Sequence, residues 1–208
     1  MSAARFSGKN IIITGAAGNF GREGCKYFVE QGACVVGLDK DECKLMETVQ
    51  YAVVGQKSDE EVIGFCEGIA CDITNVESVM DAIQRAADFF QRVSHRPAID
   101  YLWNNAGYQG QIAPTLDYDP VDFATVMNIN VTGMFIVLQA VAKRMAEAAT
   151  NSTSAADAGG NSTTPSGFSI VNTASVAGLR GTPAMVAYSS SKAAVLALTV
   201  CCAKVRCY

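Results

Sequence analysis

A short run of β-branched residues, Asn10-Ile-Ile-Ile-Thr14, breaks directly into Gly15-Ala-Ala-Gly18-Asn19-Phe20-Gly21 and then into an amphipathic stretch reaching Gln31. An uninterrupted apolar run bounded by glycine reads as a strand buried on both faces, and such strands belong to parallel sheets covered by helices. The glycine turn between strand and helix lets a diphosphate approach the backbone and rest on the helix N-terminus. A second apolar run, Ala33 to Leu38, closes on Asp39, eighteen residues beyond Gly21. That is close to the ~20-residue interval at which a carboxylate meets the hydroxyls of an adenosine ribose. A negative charge at this point repels a 2′-phosphate.

The alternation continues along the chain. Lys40 to Val53 is helix-compatible, Lys57 to Glu61 a charged loop, and Gly64 to Cys71 a third strand ending at Asp72-Ile73. Val76 to Val93 places Val76, Val79, Ile83, Ala86 and Phe90 at helical spacing, and His95 follows as a surface histidine. Ile99 to Trp103 is a fourth strand, succeeded by Asn104-Asn105-Ala106-Gly107. Asp119 as N-cap and Pro120 at the first helical position open a long helix to about Ala148, with an apolar stripe through Phe123, Val126, Met127, Met134, Val137 and Val141. Asn130 falls on that stripe, and a buried amide without partners costs ~1–3 kcal/mol. Asn130 is therefore either a structural clamp or part of a site. Thr150 to Gly167 holds only small and polar residues and reads as a mobile loop inside one domain. Phe168 to Thr173 is a fifth strand, and Val186 to Lys204 a last helix. These elements predict an α/β fold, a doubly wound parallel sheet with helices on both faces, as a single domain over residues 1–208.

Composition narrows the function. A formal charge of −4 gives no electrostatic case for nucleic acid or an anionic membrane, and no uninterrupted apolar run reaches the ~18 residues of a membrane span. Half the residues are hydrophobic and 17% charged, as in a folded chain. The eight cysteines form no C-x-x-C pair, and with one histidine no metal site is expected. Scattered thiols and the lack of a secretory-type N-terminal segment fit a reducing, cytoplasmic setting.

The chemistry concentrates between Ser175 and Lys192. Tyr188 and Lys192 stand four apart, on one face of a helix. An ammonium beside a phenol favours the ionised phenol, bringing it toward the range of a general acid–base. Ser175 lies thirteen residues before Tyr188, just past the fifth strand, where its hydroxyl can meet the phenol.

In this order and spacing, Thr14-Gly15 with its glycine turn, Asp72, Asn104-Asn105-Ala106-Gly107, Asn130 with Gly133, and Ser175/Tyr188/Lys192 resemble the short-chain dehydrogenase/reductase family in its compact branch. The resemblance covers essentially the whole chain. It implies a catalytic tetrad of Asn130, Ser175, Tyr188 and Lys192. Tyr188 would exchange a proton with a small alcohol or carbonyl substrate while hydride passes to or from a nicotinamide, and Ser175 would hold the substrate oxygen. Lys192 would bind the nicotinamide ribose, and Asn130 would fix a water linking Lys192 to solvent. Gly15, Gly18, Asn19, Phe20, Gly21 and Asp39 would hold the dinucleotide with Asp72 and Ile73 at the adenine and Asn105, Ala106 and Gly107 beside the adenosine. Asp39 makes NAD, rather than NADP, the expected cofactor.

Two departures from the family pattern stand out. Asn19 occupies the place of the turn's middle glycine, and asparagine tolerates left-handed backbone better than most residues. The glycine spacing also resembles that of an epimerase-like branch, which leaves an epimerase or dehydratase as an alternative. Family members run some forty residues further, adding two strands and a substrate-covering segment. Their absence suggests a fragment or short isoform with the fifth strand as a sheet edge, and makes a non-catalytic nucleotide-binding or oligomerisation module the main alternative to an oxidoreductase. The small and apolar Ala193, Ala194, Ala197 and Leu198 suit close packing between copies, predicting a homodimer or homotetramer.

Overall fold

β1 (Asn10–Thr14) is buried at every position. Ile11 and Ile13 pack into one helical layer and Ile12 into the other, the two-fold alternation of a strand that meets apolar neighbours on both sides. The structure, a computed structural model, describes residues 4–54, 64–156 and 167–204. β2 (Cys34–Asp39), β3 (Phe65–Ala70), β4 (Tyr101–Asn104) and β5 (Ser169–Asn172) join β1 in a parallel sheet of order β3-β2-β1-β4-β5. α1 (Asn19–Glu30) and α2 (Glu42–Val53) cover one face through Cys25, Val29, Leu45 and Ala52. α3 (Val76–Ser94) and α5 (Met134–Ala156) cover the other through Val79, Ile83, Phe90, Val137 and Val141. The chain winds outward from β1 to β3, then crosses back to β4 and β5. Such a reversal leaves a crevice beyond the carboxyl ends of β1 and β4.

β1 has the bounds of its apolar run and β2 is shifted by one residue onto Asp39, while β3, β4 and β5 are one or two residues shorter than theirs, because backbone pairing rather than hydrophobicity ends a ladder. Val76, expected on the buried stripe of α3, is 57% exposed: as the first helical residue it lies ahead of the face that meets the sheet. His95 is exposed, as expected, and ends α3 in a left-handed conformation (φ 58°).

The long helix departs most from expectation. Asp119 caps α4 (Pro120–Met127) by accepting from Val121 N–H at 2.8 Å. The helix then widens into a π turn over Asn128–Gly133 before continuing as α5. Gly133 fits there because a Cβ would lie 2.9 Å from Ile73 Cγ1. α5 also extends through Ala156, so the first part of the expected loop is helical. Thr150 donates its hydroxyl to the Ala146 carbonyl at 3.0 Å, so this short polar side chain is satisfied within the helix rather than breaking it. Residues 157–166 of that loop, and the charged loop over 57–61, lie outside the described residues.

α6 (Ala177–Arg180) and α7 (Val186–Lys204) complete the chain. Windows within Pro120–Thr150 and Val186–Lys204 average a hydropathy of 1.6 and 1.4, with 33% and 22% of each buried. By length and composition both could cross a membrane. In this fold they bear the buried polar residues Asn130, Ser191 and Lys192, each hydrogen-bonded to the rest of the domain. β5 is the terminal strand among the described residues, and its Val171 is 56% exposed, as expected of a sheet edge.

Candidate active site

The crevice past β1 and β4 is a cleft of about 560 Å³, lined by Gly15, Gly18, Asn19, Phe20, Asp39, Asp72, Ile73, Asn105, Ala106 and Gly107. α1 starts at its edge without a side-chain cap and with no acid in its first turn, so the positive end of the helix is open to an anion. The backbone demand falls on Gly15 (φ +68°), where a Cβ would lie 2.8 Å from Ala106 Cα. Asn19 needs no left-handed conformation: it is the first residue of α1 and is not among the residues of positive φ. Gly21 does not line the cleft; a side chain there would meet Ala16 Cα at 2.7 Å and the Gly15 carbonyl, so this glycine packs helix onto turn.

Asp39 accepts from Ala17 N–H and from Asp41 N–H, both at 3.0 Å, which fixes its carboxylate against the glycine turn. Asp72 accepts from the N–H and hydroxyl of Thr74 at 2.9 and 2.7 Å, and these bonds hold its carboxyl below the usual carboxylate range. The Asn104–Gly107 stretch is a clasp. Thr14 Oγ1 accepts from Asn105 N–H (2.9 Å) and Ala106 N–H (3.0 Å) and donates to Asn104 Oδ1 (3.2 Å). Asn104 Nδ2 in turn donates to the Met134 carbonyl at 2.8 Å, tying β1, β4 and α5 together.

α7 presents Tyr188 and Lys192 on one face, with the ammonium 5.6 Å from the centre of the tyrosine ring. Lys192 is 3% exposed and donates to the Thr173 carbonyl at 2.7 Å, and burial pushes its pKa below the ordinary 10.5. Asn130 is completely buried: Oδ1 accepts from Tyr108 N–H (2.7 Å), and Nδ2 donates to the Tyr108 carbonyl (2.8 Å) and to Ser191 Oγ (2.9 Å). Ser191 passes the link on to the Tyr188 carbonyl at 2.8 Å. A Cβ on Gly107 would lie 3.3 Å from Asn130 Oδ1 and 3.5 Å from Lys192 Nζ, so amide oxygen and ammonium converge on one point at the end of the cleft. The structure thus brings Asn130 and Lys192 beside Gly107, with the Tyr188 ring on the far side of the contact to Lys192. Ser175 stands at the turn before α6, where its hydroxyl accepts from Ala177 N–H at 3.1 Å. No hydrogen bond joins it to Tyr188 among the described residues.

Sequence reasoning missed Ser191, Thr173, Tyr108, Lys40 and Thr74, which hold or line the site. Ser191 gave no signal, being the third serine in a row; only the rotation of α7 buries it and exposes Ser190.

A doubly wound parallel sheet with an open helix N-terminus at its switch point, beside a tyrosine and a buried lysine, defines a Rossmann-like dinucleotide-binding domain. The family model for short chain dehydrogenases matches residues 9–205, and the chain belongs to that family. Short-chain dehydrogenase reductase 3a of Arabidopsis thaliana is 31% identical over 198 residues, covering 95% of this chain and 65% of its own length. D-threitol dehydrogenase of Mycolicibacterium smegmatis is 30% identical, over 94% of this chain and 63% of its own. A solved NAD⁺-bound xylitol dehydrogenase superposes with a TM-score of 0.78 and 35% identity, over 96% of this chain and 65% of the other. The chain therefore spans slightly less than two thirds of the length of these relatives.

Proposed function

We propose that the chain serves an NAD-dependent oxidoreductase interconverting a secondary alcohol and a ketone. The observation that carries this reading is the buried Lys192 ammonium, set between the Tyr188 ring and the end of the nucleotide cleft. NAD, when bound, supplies the acceptor for hydride from the carbinol carbon. Tyr188 takes the hydroxyl proton as the carbonyl forms, and returns it in reduction. Ser175 donates to the reacting oxygen. Lys192 would stabilise the phenolate at Tyr188 and, from its place beside Gly107, would hold the nicotinamide ribose hydroxyls. Asn130 clamps the loop at Tyr108; its Oδ1 keeps one lone pair for a water bridging to Lys192.

The cleft fits the dinucleotide on its own terms, with an uncapped helix start for the diphosphate and a fixed carboxylate, Asp39, for the ribose. That carboxylate favours NAD over NADP. Among the relatives, xylitol and D-threitol dehydrogenases are named for hydroxyl-rich alcohols, which supports a polar alcohol here. The exposed apolar side chains on α4, α5 and α7 support a homodimer or homotetramer. Replacing Tyr188 with Phe is expected to abolish NADH formation from alcohols while NADH binding, followed by fluorescence, persists; undiminished turnover would sink the mechanism.

One observation favours the alternative of a non-catalytic nucleotide-binding module: neither Ser175 nor Tyr188 lines the cleft. NADH binding without turnover of any alcohol would select it.

A further inference from the structure

Two thiols that the site does not use meet beneath α1. The helix starts at the cleft and runs back along the sheet, and its far end touches the segment entering β3. A Cβ on Gly64 would lie 2.6 Å from the Val29 carbonyl oxygen and 3.1 Å from Val29 Cα. From that contact Cys66 is two residues up the strand and Cys25 four residues back along the helix. Both steps cover about 6–7 Å toward the cleft, so the two cysteines come opposite each other. Strand alternation puts Gly64, Cys66 and Gly68 on one face of β3, and Gly68 meets Leu45 and Val49 of α2, in the same helical layer as α1. Cys25 Sγ lies 3.6 Å from where a Gly37 Cβ would stand, and Gly37 is two residues beyond Val35, the ladder partner of Cys66. The absent side chain at Gly37 leaves the space that this sulfur fills.

The two thiols are in contact and unequal. Both are free, and Cys66 packs on the apolar cluster that contains Cys25. Cys25 is completely buried and is hydrogen-bonded to Cys66; that bond and burial push its thiol well above the usual range. It stays protonated and inert toward reagents in solution. Cys66 is partly exposed, because β3 is the terminal strand on its side of the sheet among the described residues.

We infer that Cys25 and Cys66 are an oxidisable dithiol, a covalent modification site that a peroxide closes to a disulfide, stapling α1 to β3. Hydrogen peroxide meets Cys66 first. The sulfur bonds one peroxide oxygen, the O–O bond breaks, and sulfenic acid and one water result. The Cys25 sulfur then attacks the Cys66 sulfur. The S–O bond breaks, the Cys25 proton leaves with the hydroxyl as a second water, and the disulfide remains. The thiols give up two electrons and the peroxide takes them. Contact between the sulfurs favours this closure over further oxidation of Cys66. The staple holds the helix whose open N-terminus faces the cleft.

The test is peroxide treatment of the 208-residue chain, alkylation of the remaining thiols, and peptide mapping without reductant. Trypsin with a glutamate-specific protease separates Cys66 from Cys71, because Glu67 lies between them. A linked peptide pair carrying Cys25 and Cys66 is expected, released by dithiothreitol and absent from Cys66→Ala. Cys66 carried on to sulfinic acid with Cys25 still a thiol overturns the inference, as does Cys66 linked to any other cysteine. The second readout is thermal unfolding. The bond would close a loop of about forty residues, so oxidised wild type is expected to melt about 5–10 °C above its reduced form. Cys66→Ala, altered at a partly exposed edge position rather than in the core, should be unmoved by the same treatment. A linked pair with no rise in Tm overturns the staple.

Discussion

Lys192 is the residue on which charge and burial pull in opposite directions. A buried ammonium is disfavoured, so the folded state gives up its proton at lower pH than the unfolded chain does. Between that depressed pKa and the ordinary 10.5, the unfolded state binds more protons, and stability contributed at this residue rises with pH across the window. Urea denaturation from pH 8 to pH 10.5 is expected to show wild type gaining on Lys192→Met as pH rises; a difference that is flat or shrinks would contradict the assignment. Asp39 is the corresponding acid. Its two backbone bonds hold it ready for ribose hydroxyls, and Asp39→Ala is expected to weaken NADH binding by ~10–100-fold, the scale of hydrogen bonds to a charged group. Asp39→Ser, which removes the charge, should narrow the gap between NADH and NADPH. Titration with the two nucleotides checks both.

At the scale of the element, two contacts decide how helices seat on the sheet. Gly24 of α1 lies directly on the Trp103 ring of β4, and a methyl group there would overlap it. Gly24→Ala is expected to destabilise by ~1–3 kcal/mol through overpacking. Trp103 is the only tryptophan, so its fluorescence reports both the altered packing and the unfolding transition. In the π turn, Asn130→Ala would leave both Tyr108 backbone groups without their partner, a loss of ~1–3 kcal/mol in urea unfolding, with faster hydrogen exchange at the Tyr108 amide. The strands, α1 and α7 were legible because hydrophobic period and glycine placement are local. The π turn was not, since nothing in Asn128–Gly133 breaks a helix; Asn130 and Gly133 widen it only because Tyr108 and Ile73 stand opposite.

For the whole molecule, the question is what covers its apolar exterior. Val121, Phe135 and Val200 are 72%, 40% and 52% exposed on α4, α5 and α7, and Ala193 and Ala197 are exposed beside them. Such faces mark interaction surfaces. Sedimentation is expected to show a dimer or tetramer at micromolar concentration, and Ala197→Glu to shift it toward monomer; a monomeric wild type would refute the helical interface. Val171 on the β5 edge is a separate hazard, and Val171→Lys should reduce aggregation on storage, measured by light scattering, because a charged edge resists further strand pairing.

The chain's own order of residues determined the alternating strands and helices, the parallel sheet, the glycine turn with Asp39, and the Tyr188–Lys192 pair, because each follows from spacing within a few turns or strands. Only the tertiary structure decided that Asn130 clamps Tyr108, that Ser191 rather than its neighbours links the site, that Gly21 packs instead of touching the cleft, and that Cys25 meets Cys66. The first two depend on groups that meet across 22 and 61 residues of chain, and all of them on how the elements pack, because burial makes an unpaired polar atom costly and spacing alone does not say which atoms are buried.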